Sequence, residues 1–134
     1  MTAGRKEPAW VPRIAVEAAH LDQIREHGGL LGLRDEASLD AALNRAKQKW
    51  DHGENLDLSA LAAAYGFGIS SNHPFRDGNK RVAFLSVVMF LGLNGWTMVA
   101  TEEDVVHAIR GLASGDLDED QLADWIRTRV EELT

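Results

Sequence analysis

Apolar residues recur every three or four positions through most of this chain, which is the period of an α-helix. From Pro12, the residues Ile14, Val16, Leu21 and Ile24 mix with Glu17, Asp22, Arg25 and Glu26. They predict an amphipathic helix over about 12–27, with Pro12 in its first turn and Gly28-Gly29 stopping it. His20 and His27 fall on that helix and read as part of its polar face. Asp35 or Ser38 caps a second helix over about 36–48, carried by Leu39, Ala42, Leu43 and Ala46. The Arg34-Asp35 pair reads either as a tether for the loop before this helix or, by preference, as a cap beside a solvated arginine. Asp57 caps a third helix to about 72, in which Ala60, Ala63, Ala64, Gly66 and Gly68 predict close approach of neighbours. A fourth, over about 79–93, is apolar around much of its circumference and belongs at the domain centre. Thr101-Glu102-Glu103-Asp104 opens a fifth helix, and Asp118 caps a last one running to about 131. Residues 49–56 read as a loop and 96–99 as an extended link, and no segment reads as a convincing strand. The expected fold is all-α: a compact single-domain bundle of about six helices around a buried central helix. It occupies residues 12–134, after a loose N-terminus of residues 1–11.

Composition narrows the class of protein. At 134 residues the chain holds one domain with a real core, and the absence of cysteine excludes disulfides and thiolate metal sites. The longest apolar run, Val82 to Leu93, spans roughly 18 Å as a helix. A bilayer core needs about 30 Å, so no membrane partner is expected, and without a signal-peptide stretch the chain reads as cytoplasmic. A net charge of −7 argues against direct nucleic-acid binding. It also sets apart the local basic cluster Arg76, Lys80 and Arg81.

That cluster belongs to His73-Pro74-Phe75-Arg76-Asp77-Gly78-Asn79-Lys80-Arg81, a polar loop feeding directly into the fourth helix. His73 supplies an imidazole, the side chain best suited to take a proton from a hydroxyl. Asp77 can hold a divalent cation. Gly78 lets backbone approach a ligand, Asn79 adds an amide, and Lys80 and Arg81 neutralise phosphate at a helix N-terminus. Together these groups are what transfer of a phosphoryl or nucleotidyl group to a hydroxyl requires. For each residue alone, turn, cap or solvated charge is the favoured reading, and only their convergence weakens it. The spacing is not that of a Walker A loop.

The nine-residue stretch resembles the core motif of the Fic superfamily, and its Asn-Lys-Arg ending is similar to the death-on-curing (Doc) branch. Gly28-Gly29 through Gly32-Leu33-Arg34-Asp35 and Leu39 to Leu43 are similar to the N-terminal pattern of Doc-like chains. The resemblance implies an ATP-dependent toxin of a type II toxin–antitoxin pair. His73 would be the base, Asp77 would bind Mg²⁺, and Gly78, Asn79, Lys80 and Arg81 would hold the phosphates of ATP. Phe75 would pack inward and fix the loop. Trp50, in the 49–56 loop, reads by default as a core anchor; the resemblance would place that loop as a flap that lays a target segment beside the site. Two positions depart from the adenylylating Fic pattern: Lys80 replaces a glycine, and Phe84 stands where a second arginine would be. The Doc branch instead implies transfer of the γ-phosphate to a Ser/Thr hydroxyl of elongation factor Tu, which arrests translation. An adenylyltransferase and a catalytically silent binding domain are the alternatives. No inhibitory Ser/Thr-x-x-x-Glu-Gly/Asn helix is found, so control would come from a separate antitoxin whose disordered tail folds on the toxin.

Overall fold

The computed structural model describes residues 6–52 and 56–133. Its elements follow in order as α1 (Arg13–His27), α2 (Glu36–Asp51), α3 (Leu58–Asn72), α4 (Asn79–Leu93), β1 (Trp96–Met98), α5 (Glu102–Ser114), α6 (Glu119–Arg127) and β2 (Val130–Glu132). Side chains set most helix starts. Asp35 accepts from the Ala37 and Ser38 N–H groups, and Asp57 from that of Ala60. Thr101 and Asp118 each close a reciprocal capping box, with Asp104 and Gln121. These caps satisfy donors that the first helical turn leaves without intrahelical partners.

The most enclosed helix is α3, not α4 as expected. Residues Ser59 to Gly66 are all buried, and so are Gly68, Ile69 and Ser70. Its small residues are the reason. A Cβ on Gly66 would stand 2.8 Å from Val87 Cγ2 of α4 and 3.0 Å from Leu122 Cδ2 of α6. Helices α2, α4 and α6 therefore close on α3 from different sides. Helix α4 buries one side through Val82, Ala83, Ser86, Val87, Phe90 and Leu91. The core joins these to Val16, Leu39, Tyr65, Phe75 and Ile126.

Three expectations are corrected. The last helix stops at Arg127, and residues 130–132 pair antiparallel with β1, Met98 opposite Val130 and Trp96 opposite Glu132. Two short strands thus exist where none was expected. Lys49, Trp50 and Asp51 belong to α2 instead of a loop. The end of the N-terminal segment is anchored: Val11 is buried, its N–H donates to the Tyr65 hydroxyl, and the Trp10 ring stacks on Phe90. Among the described residues no helix is long and apolar enough to cross a membrane.

Asp57 joins α3 to α6, because beside its cap it accepts from Arg127 Nε at 2.6 Å and Nη2 at 3.0 Å. The Arg127 hydrogen bonds hold its carboxyl below the usual carboxylate range, against the opposing effect of partial burial. Replacing Asp57 with alanine is expected to cost about 1–2 kcal/mol at pH 7, mostly from the lost cap, since exposed ion pairs contribute little. A depressed folded pKa means that this stability is complete above about pH 4 and is lost as pH falls through the folded value. Urea unfolding of the wild type and the Asp57→Ala variant should therefore differ at pH 7 and converge toward pH 2.

Candidate active site

The 73–81 loop begins where α3 ends. His73 is the C-cap residue of that helix and sits in the left-handed region, φ 47° and ψ 56°. Among the described residues it is the only non-glycine with positive φ. For an L-residue this conformation costs roughly 1–2 kcal/mol and persists where the surroundings enforce it. The His73 side chain is exposed. Pro74 and Phe75 then turn inward, and both are buried.

Phe75 anchors the loop from below. Its ring stacks on His20 of α1, with centroids 4.1 Å apart and planes 12° apart. His20 is 3% exposed, which corrects its expected place on a polar face. Its Nε2 lies 3.1 Å from the Asp77 carbonyl oxygen, which can only accept, so Nε2 carries the proton. Burial lowers the His20 pKa, and the Asp77 carbonyl partly opposes that effect. Burial thus favours the neutral imidazole, which donates from Nε2 to the loop.

The 28–35 segment runs beside the loop and pairs with it. Arg76 N–H donates to Gly32 O at 3.0 Å, Arg34 N–H donates to Pro74 O at 2.8 Å, and Leu33 bridges Phe75. The Leu30 N–H donates to Asp77 Oδ2 at 2.6 Å. Gly29 permits this approach, since a Cβ there would meet the Asp77 Cβ at 3.0 Å. Arg34 is exposed, as expected, and its guanidinium also donates to the Asn72 and His73 carbonyls.

Asn79 also closes the loop. Its Oδ1 accepts from the Phe75 N–H at 2.8 Å, and its Nδ2 donates to the Phe75 carbonyl at 2.9 Å. The side chain helps to close the loop, and its second Nδ2 hydrogen and the backbone N–H remain as donors for an anion.

The N-terminus of α4 stands apart from those of α2, α3, α5 and α6. Gly78, in the left-handed region with φ 79°, is its N-cap and supplies no side-chain cap. Its first turn holds no acid, whereas α5 has three and α6 two. Lys80, half-buried, and Arg81, exposed, take their place. A helix start with free N–H groups, a positive dipole end and two cations suits an anion. Arg81 also donates to His27 Nε2 at 3.3 Å, and it lines a cleft of about 630 Å³ with Val105, Val106, Ile109 and Arg110 of α5. That volume is in the range that holds a small molecule.

The structure thus brings His73, Phe75, Asp77, Gly78, Asn79, Lys80 and Arg81 together, and leaves Trp50 elsewhere. The Trp50 ring stands edge-on to Trp10, which stacks on Phe90 near the far end of α4. Asn79 and Phe90 are roughly 16 Å apart along that helix. The rest of the expected flap, residues 53–55, lies outside the described residues. Phe84, at the position of the missing arginine, packs edge-on to Trp125 with centroids 6.4 Å apart. No group of three His, Asp or Glu side chains among the described residues forms a ready metal cage. Asp77 keeps one carboxylate oxygen beyond the one bonded to Leu30. That fits Mg²⁺, which commonly takes one or two carboxylates together with substrate phosphates and water.

His20 is a site-building residue that the sequence places elsewhere, and Arg34 one whose tethering role is only the second reading of its sequence. A signal existed for His20, which lies four residues from both Val16 and Ile24 and so shares their inward register. Nothing local pointed Arg34 at the end of α3.

Several known proteins resemble this chain. A family model described as the Fic/DOC family matches residues 10–91. A curated relative named Protein kinase doc, from Escherichia phage P1, is 31% identical over 110 residues, covering 82% of this chain and 86% of its own. One named Toxin Doc, from Mycolicibacterium smegmatis, is 37% identical over 101 residues, covering 72% and 76%. Among solved structures, the N-terminal Fic domain of a VirB-translocated Bep effector from Bartonella quintana, with bound ADP, gives a TM-score of 0.49 at 17% identity. That match covers 74% of this chain and 48% of the other, so the chain spans about half the length of that structure.

Proposed function

The chain belongs to the Fic/DOC family, and from that premise we propose that it is a Doc-like toxin that transfers the γ-phosphate of ATP to a Ser/Thr hydroxyl. The proposed target is elongation factor Tu, the proposed outcome is arrest of translation in the cytoplasm, and the proposed partner is an antitoxin with a disordered tail. The observation that carries this reading is the uncapped N-terminus of α4, bearing Lys80 and Arg81 and joined to an exposed histidine by a tightly bonded loop.

In this reading the phosphate chain of ATP lies against the N–H groups at the start of α4, and Lys80 and Arg81 neutralise its charge. The target hydroxyl oxygen bonds to the γ-phosphorus as the bond to the β–γ bridging oxygen breaks. ADP leaves, and the hydroxyl proton passes to the His73 imidazole. Asp77 would hold Mg²⁺ through its remaining carboxylate oxygen; when bound, the ion would offset phosphate charge. Phe84 favours phosphate over AMP transfer. An aromatic ring packed on Trp125 offers no second guanidinium to clamp the phosphates.

The test uses ATP labelled at either the α or the γ phosphate, with purified elongation factor Tu. Label on protein from γ-labelled ATP alone is the expected result. Label from α-labelled ATP would replace this reading with adenylylation, and label from neither would reject both for this target.

A further inference from the structure

Arg34 is exposed, yet it is among the most heavily bonded residues near the site. Its Nε donates to the His73 carbonyl at 2.6 Å and its Nη2 to the Asn72 carbonyl at 2.7 Å. Its own N–H and that of Asp35 both donate to the Pro74 carbonyl, at 2.8 and 3.2 Å. Three consecutive carbonyls, on both sides of the His73 backbone, are thus held from one point. That point is itself fixed, because Asp35 caps α2 and Gly32 accepts from Arg76. Asn72 is held a second time, its side chain donating to the Ser38 carbonyl at 3.1 Å.

The last carbonyls of a helix lack intrahelical partners and carry the negative end of its dipole. The last turn of α3 contains no basic residue to meet them. Arg34 supplies that charge from another element, and its planar fork reaches two carbonyls at once, which a lysine ammonium on a flexible stem cannot do with the same fixed geometry. His73, the residue bonded on either side, is the one non-glycine residue described in the left-handed region. A return to ordinary helical or extended backbone would swing its Cα–Cβ bond and re-aim the imidazole.

We propose that Arg34 is a positioning residue: its fork across the Asn72 and His73 carbonyls holds His73 in the left-handed conformation and so aims its imidazole at the target hydroxyl. This rests on the reading of His73 as the base. Arg34 is assigned no contact with nucleotide or target, so its loss should slow the step that His73 serves and leave ATP binding alone.

The experiment compares wild type, Arg34→Ala and Arg34→Lys in the full chain. Transfer from γ-labelled ATP to elongation factor Tu gives kcat and the ATP KM, thermal unfolding checks the fold, and the His73 Cα chemical shift by NMR reports its backbone conformation. Both variants are expected to fold and to change the His73 Cα shift. For Arg34→Ala, kcat should fall about 10- to 100-fold with the ATP KM within twofold. Arg34→Lys, which keeps the charge but not the fork, should recover only a minor part. Should Arg34→Ala fail to fold, Arg34→Lys carries the same comparison. Unchanged kcat, a loss confined to the ATP KM, full recovery by lysine, or an unchanged His73 Cα shift would each overturn the proposal. Wild type that transfers no phosphate would count against the proposed function, and the NMR comparison would then decide the clamp by itself.

Discussion

Replacing His73 is expected to lower transfer by about 10²- to 10⁴-fold, the range contributed by a positioned general base. This corresponds to about 2.7–5.4 kcal/mol of transition-state stabilisation. The choice of substitute matters because of the backbone. Alanine tolerates φ of 47° poorly, so His73→Ala would mix a lost imidazole with a relaxed loop. Asparagine adopts the left-handed region more readily than most residues and has no group that titrates near neutral pH. His73→Asn should therefore keep the loop, the thermal midpoint and the ATP KM close to wild type while kcat collapses and toxicity in cells disappears. A His73→Asn variant that retains its rate within a few-fold would remove His73 from the chemistry. The same variant cannot distinguish phosphate from AMP transfer, because either reaction takes the proton from the attacking hydroxyl.

Whatever rests on local chemistry was readable from the chain. Asp35, Asp57, Thr101 and Asp118 announce helix starts by residue type, and the structure uses each as a cap. The 73–81 loop was also visible, because base, acid, glycine, amide and cations stand consecutively and then give way to an apolar helix. What escaped depends on partners far along the chain. Residues 130–132 continue a helical spacing through Leu122, Ile126 and Val130, and only meeting residues 96–98 makes them a strand. Arg34 reads as solvated because its partners, Asn72 and His73, are 38 and 39 residues away. The order of burial was misjudged for a related reason. Large apolar side chains drew attention to α4, but small ones let neighbours close on α3 from several sides. Trp50 reads by default as a core anchor, and only the family resemblance puts it in a flap; its segment continues α2, and its ring meets Trp10 and packs against the core.

Asn79 separates the two kinds of reading most sharply. Sequence places it among phosphate ligands, whereas the structure commits its side chain to both backbone polar groups of Phe75. Phe75 is 1% exposed, so a donor and an acceptor in a nearly dry environment depend on one amide. An unpaired buried backbone group costs about 1–3 kcal/mol, and water can reach part of this half-buried site. Asn79→Ala is therefore expected to lose about 2–4 kcal/mol in urea unfolding. It should also lower kcat about 10- to 100-fold as the loop between His73 and α4 loosens. Asn79→Asp should fall between alanine and wild type in stability, since a carboxylate still accepts from the Phe75 N–H but cannot donate to its carbonyl. A phosphate ligand predicts the opposite division: unchanged stability, with the loss taken in the ATP KM. An Asn79→Ala protein as stable as wild type would return Asn79 to the phosphates and leave the loop to be held by Leu30, His20 and the paired 32–35 segment.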